Sequence, residues 1–233
     1  NFDTSKVIDM SNMFYGCSLL KNLNVDKFET GLVKNMSGMF YSCSELTSLN
    51  VNKFKTNNVE DMSNMFQYCT SLVEIDVTNF DTRNVKDMSG MFYSCRNLLS
   101  LNLLNFKTEK ANDISIMFKD CTSLTSLDII NFQTNEVKNM SGLFDSCINL
   151  KEINVDNFIT NNVEDMSYLF RDCSSLKTIN IANFITSKVK NMCDMFHGCK
   201  NLESLDVSNF DTKNVIDMSN LFLNLTYITS LDV

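Results

Sequence analysis

The sequence predicts an α/β repeat: a right-handed solenoid with one parallel sheet, one short strand per 26-residue unit, and short helices on the other side. Three observations predict it. Phe recurs without a break at positions 2, 28, 54, 80, 106, 132, 158, 184 and 210, a step of 26 residues. A second Phe column, from Phe14 to Phe222, and a Thr column, from Thr4 to Thr212, keep the same step. Within each unit the apolar residues change period, from helix-like spacing to strand-like alternation. A chain that repeats at this interval buries its apolar side only against neighbouring copies of itself.

The helix-like element comes first. Met10, Met13, Phe14 and Cys17 fall at i, i+3, i+4 and i+7, one face of a short helix. Asp9 precedes them as the N-cap candidate, with Ser11 as the competitor, and the Asp9 column holds Asp or Asn in every unit, which suits a cap. The strand follows at Leu23 and Val25, with positions 22, 24 and 26 pointing away from the core. The predicted strands centre on Leu23, Leu49, Ile75, Leu101, Leu127, Ile153, Ile179, Leu205 and Leu231. Parallel stacking at ~4.8 Å gives nine units a length of roughly 40 Å. Each buried side chain contributes roughly 1.5–3 kcal/mol, against about 1–2 kcal/mol per residue ordered. A single unit therefore does not fold alone, whereas an array does.

The register runs through all 233 residues, so the chain reads as one domain, 1–233, of nine units with the last incomplete. Pro is absent and Gly is scarce, which leaves no linker. Neither a polar cap, a signal peptide nor a spanning apolar run is visible, so the expectation is a fragment whose caps and anchor lie outside it. Uncapped ends would allow end-to-end self-association.

The segments MFYGCSLLKNLNV (13–25), MFYSCSELTSLNV (39–51) and MFQYCTSLVEIDV (65–77) resemble the BspA-like leucine-rich repeats of microbial surface proteins. The nearer likeness is the NFDTxxVxDMSxMFxxCxxLxxLDV variant of mycoplasma surface lipoproteins. The resemblance spans the whole chain. It implies a leucine-rich-repeat solenoid, a cell-surface or extracellular location, and roles in adhesion, host-protein binding or display. It implies no catalytic residues. The chain departs from the pattern at Ala111, Ile114, Cys193 and Leu225.

Cys17, Cys43, Cys69, Cys95, Cys121, Cys147, Cys173 and Cys199 form a ladder. Stacked Cα atoms ~5 Å apart fall within disulfide range, so bridges between neighbours are one reading. The other is a small buried apolar filler, which Leu225 in the same column favours. A metal needs ligands converging on a point, and an evenly spaced line does not converge. No metal or cofactor is expected. Cys193 replaces a Ser and is the thiol singled out for reactivity. His197, the sole His, shares a variable column with Tyr15, Gln67, Lys119 and Arg171 and reads as exposed. Translation symmetry puts identical residues in lines, whereas catalysis needs different ones converging, so the chain is not expected to be an enzyme.

The formal charge is −8. Outward strand positions carry Asp26, Glu74, Asp76, Asp128, Glu152, Asp156, Asp206 and Asp232, and no Lys or Arg. In column 24, Asp alternates largely with Asn, which suggests amide-to-carboxylate bonds along the column. One reading is a solvated polar face. The other is a recognition face for a basic, host-derived protein. Nucleic acid is disfavoured because phosphate needs a basic patch. Leu104 and Ile130 break the polar pattern in successive units. Rimmed by Glu74, Asp76, Asp128, Glu152 and Asp156, they form the candidate binding patch. A passive spacer is the alternative function, and it would be uniform where this patch is irregular. A further column, Lys34, Glu60, Lys86, Asn112, Lys138, Glu164 and Lys190, alternates in sign and suits register support between units.

Overall fold

The computed structural model describes residues 2–233. The 26-residue register of the sequence is the register of the structure: successive units stack so that each residue faces its equivalent 26 positions on. The core is one continuous column of buried side chains. In the second unit it comprises Val33, Met36, Met39, Phe40, Cys43, Leu46, Leu49 and Val51, and the same set recurs along the chain. Rings of the Phe14 column stack from Phe14 to Phe222 with centroids 5.5–6.3 Å apart and planes within 14° of parallel. The spacing exceeds ~4.8 Å between strands, so the rings lie offset, the arrangement that the ring quadrupole favours.

The predicted helices do not form: among the described residues there is none. Each segment equivalent to 10–17 is instead a run of overlapping turns. Met13, Tyr15 and Cys17 donate their N–H to the carbonyls of Met10, Asn12 and Phe14. The alternate peptide groups point along the solenoid. Met10, Asn12, Phe14 and Gly16 donate to the carbonyls of Asn35, Ser37, Met39 and Tyr41 in the next unit. Such a path needs φ above zero at the third residue of two of the turns. Among the described residues, every positive φ falls in those two columns, headed by Asn12 and Gly16. Most occupants are Gly, Asn, Asp or Ser; Ile116, Tyr68 and Tyr168 are the bulky exceptions. A helix this short leaves its first four N–H and last four C=O groups unpaired. The turn ladder pairs them with the neighbouring units, and that difference decides the outcome.

Asp9 caps, but it caps a turn. Its Oδ1 accepts the N–H of Ser11 at 2.8 Å, and the equivalent bond recurs at every unit down to Asp217. This column also makes the one parallel ladder that runs from the first unit to the ninth, Asp9 to Asn35 and onward to Asp217.

The strand side is less regular than expected. Strands are β1 (Ser48–Leu49), β2 (Glu74–Ile75), β3 (Ser204–Asp206) and β4 (Ser230–Asp232). They pair in parallel as β1–β2 and β3–β4, two separate pairs instead of one sheet. Asn102 and Asp128 add an isolated parallel bridge. The other predicted centres, Leu23, Leu101, Leu127, Ile153 and Ile179, lie in extended chain outside named strands.

Side chains replace much of the missing backbone pairing. Buried Thr30 donates its hydroxyl to the Lys55 carbonyl and accepts the Lys55 N–H, at 3.1 and 2.7 Å. Thr56, Thr82, Thr108, Thr134 and Thr160 repeat this double bond. Asn105, Asn131 and Asn157 donate side-chain amides back to the carbonyls of Thr78, Leu104 and Ile130.

Candidate functional site

Beside a depression at the first unit, where Lys27 and Lys53 accompany Asn24 and Asp26, the outward strand positions of units two to six form two shallow depressions. The first, about 570 Å³, is lined by Ser48, Asn50, Glu74, Asp76 and Asn102 over a floor that includes Leu49 and Ile75. The second, about 450 Å³, is lined by Ser126, Asp128, Glu152 and Asn154 over Leu127 and Ile153. Leu or Ile turns inward at each floor, and alternation along an extended chain turns its flanking polar residues outward.

The structure places four of the candidate residues in these depressions: Glu74 and Asp76 in one, Asp128 and Glu152 in the other. Leu104, Ile130 and Asp156 line neither. Leu104 and Asp156 each open the tight turn that leads to the next Phe, and Ile130 is the corresponding residue. Leu104 is 47% exposed and Ile130 39%. The Asn131 amide on the Leu104 carbonyl ties these successive turns together at 2.8 Å.

The amide–carboxylate pairing differs from the expected one. Column-24 side chains bond their own backbone two residues on: Asn102 accepts the Leu104 N–H, Asp128 the Ile130 N–H and Asn154 the Asp156 N–H. Asp76 accepts both the hydroxyl and the N–H of Thr78, which hold its carboxyl below the usual carboxylate range. Ser208 does the same for Asp206, hydroxyl first and N–H second. Amides do reach carboxylates, but across columns: Asn50 to Asp26 at 3.3 Å and Asn180 to Asp156 at 2.8 Å.

The thiols are structural. All nine Cys are free. Each ladder thiol from Cys43 to Cys199, Cys193 not being one of the ladder, donates to the carbonyl of a Phe in the preceding unit at 3.0–3.3 Å. Burial raises the Cys43 thiol to about 11 and the Cys199 thiol to about 12. Cys17, at the first unit, is exposed. Cys193, the thiol singled out for reactivity, is buried at 6% exposure. Among the described residues, no cluster of three or more His, Cys, Asp or Glu has metal-binding geometry.

One ionic cluster was not read from the sequence. Asp145, 1% exposed at its side chain, lies between Lys119 at 3.0 Å and Arg171 at 2.7 Å. Arg171 engages both carboxylate oxygens and sits over the Tyr168 ring. Lys119, Asp145 and Arg171 are one column, 26 residues apart, in the order plus, minus, plus. That order was the available signal. His197, in the same column, is not exposed: it is half-buried against Asp194. Of the register column, Lys86–Glu60 and Lys190–Glu164 pair at 2.7 and 2.5 Å.

With the repeat geometry established, the family is evident. The family model described as "Mycoplasma protein of unknown function, DUF285" matches residues 1–74, 69–153 and 144–231. The chain belongs to that family. No curated protein matches it in sequence. Among solved structures it is similar to a leucine-rich repeat protein from Bacteroides ovatus, with TM-score 0.57 and 19% identity over 97% of this chain. The chain spans 58% of that protein's length. It also matches a leucine-rich repeat protein of T. pallidum, with TM-score 0.39, 20% identity, 88% of this chain and 74% of that one. An internalin C2 of Listeria monocytogenes matches with TM-score 0.38, 16% identity, 82% of this chain and 81% of that one. The first of these likenesses identifies the fold as a leucine-rich-repeat solenoid.

Proposed function

We propose that this DUF285 solenoid is a non-catalytic module of a cell-surface protein that binds a protein partner, in adhesion or host-protein capture. The site is the strand side, with Glu74, Asp76, Asp128 and Glu152 in the depressions and Leu104, Ile130 and Asp156 on the adjoining turns. The observation that carries the reading is the charge sorting. Acidic and neutral polar side chains line both depressions, and no Lys or Arg lies among them. Such a face favours a basic partner surface, and two exposed aliphatic side chains beside it supply an apolar contact.

The test is a pull-down from a mixture of serum and extracellular-matrix proteins at low and high salt. The parent should retain a basic protein, less at high salt because screening weakens the acidic rim. Leu104→Asp with Ile130→Asp should abolish retention while the fold survives. A ligand held equally by the double variant, with no salt dependence, would place binding elsewhere.

A passive spacer is the second reading, and one observation favours it. Several acids on this side are engaged by their own turns, as Asp76 is by Thr78 and Asp206 by Ser208. Carboxylates so used serve the fold whether or not a partner exists.

A further inference from the structure

The parallel ladder headed by Asp9 contains one irregularity. Its occupants are Asp9, Asn35, Asp61, Asp87, Asp113, Asn139, Asp165, Asn191 and Asp217. Asp87 is the one acid in the ladder with a further carboxylate on both sides, Asp61 before it and Asp113 after it. Elsewhere an amide intervenes, and it can bond the acid beside it, as Asn139 bonds Asp113 at 3.1 Å. Two carboxylates side by side have no hydrogen to share unless one is protonated. Asp87 is half-buried, so water does not fully relieve the crowding.

We propose that Asp87 is a proton-operated point in the solenoid, ionised and crowded at neutral pH, protonated and bonded through its one O–H to a neighbouring carboxylate in mild acid, so that units three to five tighten as pH falls. The groups around it are few. Ser89 donates its N–H to the carboxylate at 2.8 Å. Asp61 and Asp113 face it from the two adjoining units. Lys86, next in the chain, is exposed and engaged by Glu60. Burial raises the Asp87 carboxyl, Ser89 opposes that, and Asp113 and Asp61 add to it. The direction follows from linkage. A carboxyl raised in the folded state binds more protons folded than unfolded, so stability increases as pH falls through the folded value towards the unfolded one.

Asp87→Asn tests this, because Asn occupies the same column at Asn35, Asn139 and Asn191 with the same turn bond. Asp165→Asn is the control: its neighbours Asn139 and Asn191 are both amides. The measurement is urea unfolding of parent and variants between pH 8 and pH 4. Near pH 8 the parent should unfold more readily than Asp87→Asn. The ratio of their unfolding constants should then fall with pH, by at most about tenfold per pH unit for one proton. Hydrogen exchange in the parent gives a local reading at the Met62 and Met88 amides, which bond the Asp87 and Asp113 carbonyls. Corrected for intrinsic rates, their protection should rise in mild acid. A pH-independent ratio, an equal shift in Asp165→Asn, or falling protection at both amides would overturn the proposal.

Discussion

The two sides of each unit solve the same stacking problem in different ways. On the turn side, segments such as 9–16 are laced to their neighbours by four backbone bonds per unit, with rings and thiols packed beneath. On the strand side, strands pair at only two places among the described residues, and side-chain bonds fill in elsewhere. The difference teaches where sequence freedom lies. The turn side is pinned by backbone geometry that few residues tolerate, so its two positive-φ columns are rich in Gly, Asn, Asp and Ser. The strand side asks for an inward Leu or Ile and, in the column headed by Asn24, an Asn or Asp that bonds the following turn, which leaves the outward positions on either side of that column freer to vary with function.

The largest expected effect tests the turn side. Phe118 is fully buried, and its ring stacks 6.0 Å from both Phe92 and Phe144. Phe118→Ala should cost on the order of 3–5 kcal/mol. It lies in the middle unit, so thermal melting should split into two transitions. Leu127→Ala on the strand side, where the side chain keeps 7% exposure, should cost less and leave one transition. Equal losses would erase the contrast between the sides.

Asp145 comes next. Asp145→Ala leaves Lys119 and Arg171 without their shared anion. The cost should be about 3 kcal/mol, the low end for breaking a buried pair, because both cations keep partial access to water. Chemical denaturation checks it. A loss well under ~1 kcal/mol would mean that the three units do not depend on the cluster.

Much of this was legible in the sequence, and the misreadings share one cause. The unit length, the inward residues and the buried thiols follow from periodicity, because burial repeats with the fold. The helix did not follow. Met10, Met13, Phe14 and Cys17 satisfy a helical spacing, yet overlapping turns also bring those positions to one side. The contrary signal was Gly38, Gly90 and Gly142 in the middle of the supposed helix, alternating with Asn12 and Asn64. The Thr column was visible as a repeat, but nothing apolar in the pattern explains it. Its role in bonding the next unit's backbone emerges only from three dimensions. The candidate residues were legible as a column of charge. That several of them also bond their own turns depends on backbone conformation, which charge does not encode.

A third prediction separates a turn ladder from a helix directly. Ile116 is β-branched and sits at φ 49°, where an ordinary L-residue is disfavoured by roughly 1–2 kcal/mol. Asn occupies the same column at Asn12, Asn64 and Asn220. Ile116→Asn should therefore stabilise by up to about 1 kcal/mol, after allowing for lost packing. In a helix the same change would be neutral or destabilising. The sign of the shift in unfolding midpoint decides.

The smallest effect belongs to the strand side, and its smallness is the point. Asp76→Asn keeps the turn bond, since Asn50, Asn102, Asn154 and Asn180 make it in the same column. The melting temperature near pH 7 should move by under about 2 °C, as for surface substitutions that leave no partner stranded. The acid limb should change more visibly. The Thr78 hydroxyl, then its N–H, lowers the Asp76 carboxyl in the folded state. Its contribution is therefore full above the unfolded value of 3.8 and is lost as pH falls through the folded one. Asp76→Asn should lose less stability than the parent between about pH 4 and pH 2. If the same variant also weakens partner binding at pH 7 with its melting point unmoved, fold and recognition separate at this residue. If it unfolds outright, the strand side is as tightly constrained as the turn side, and the contrast between them fails.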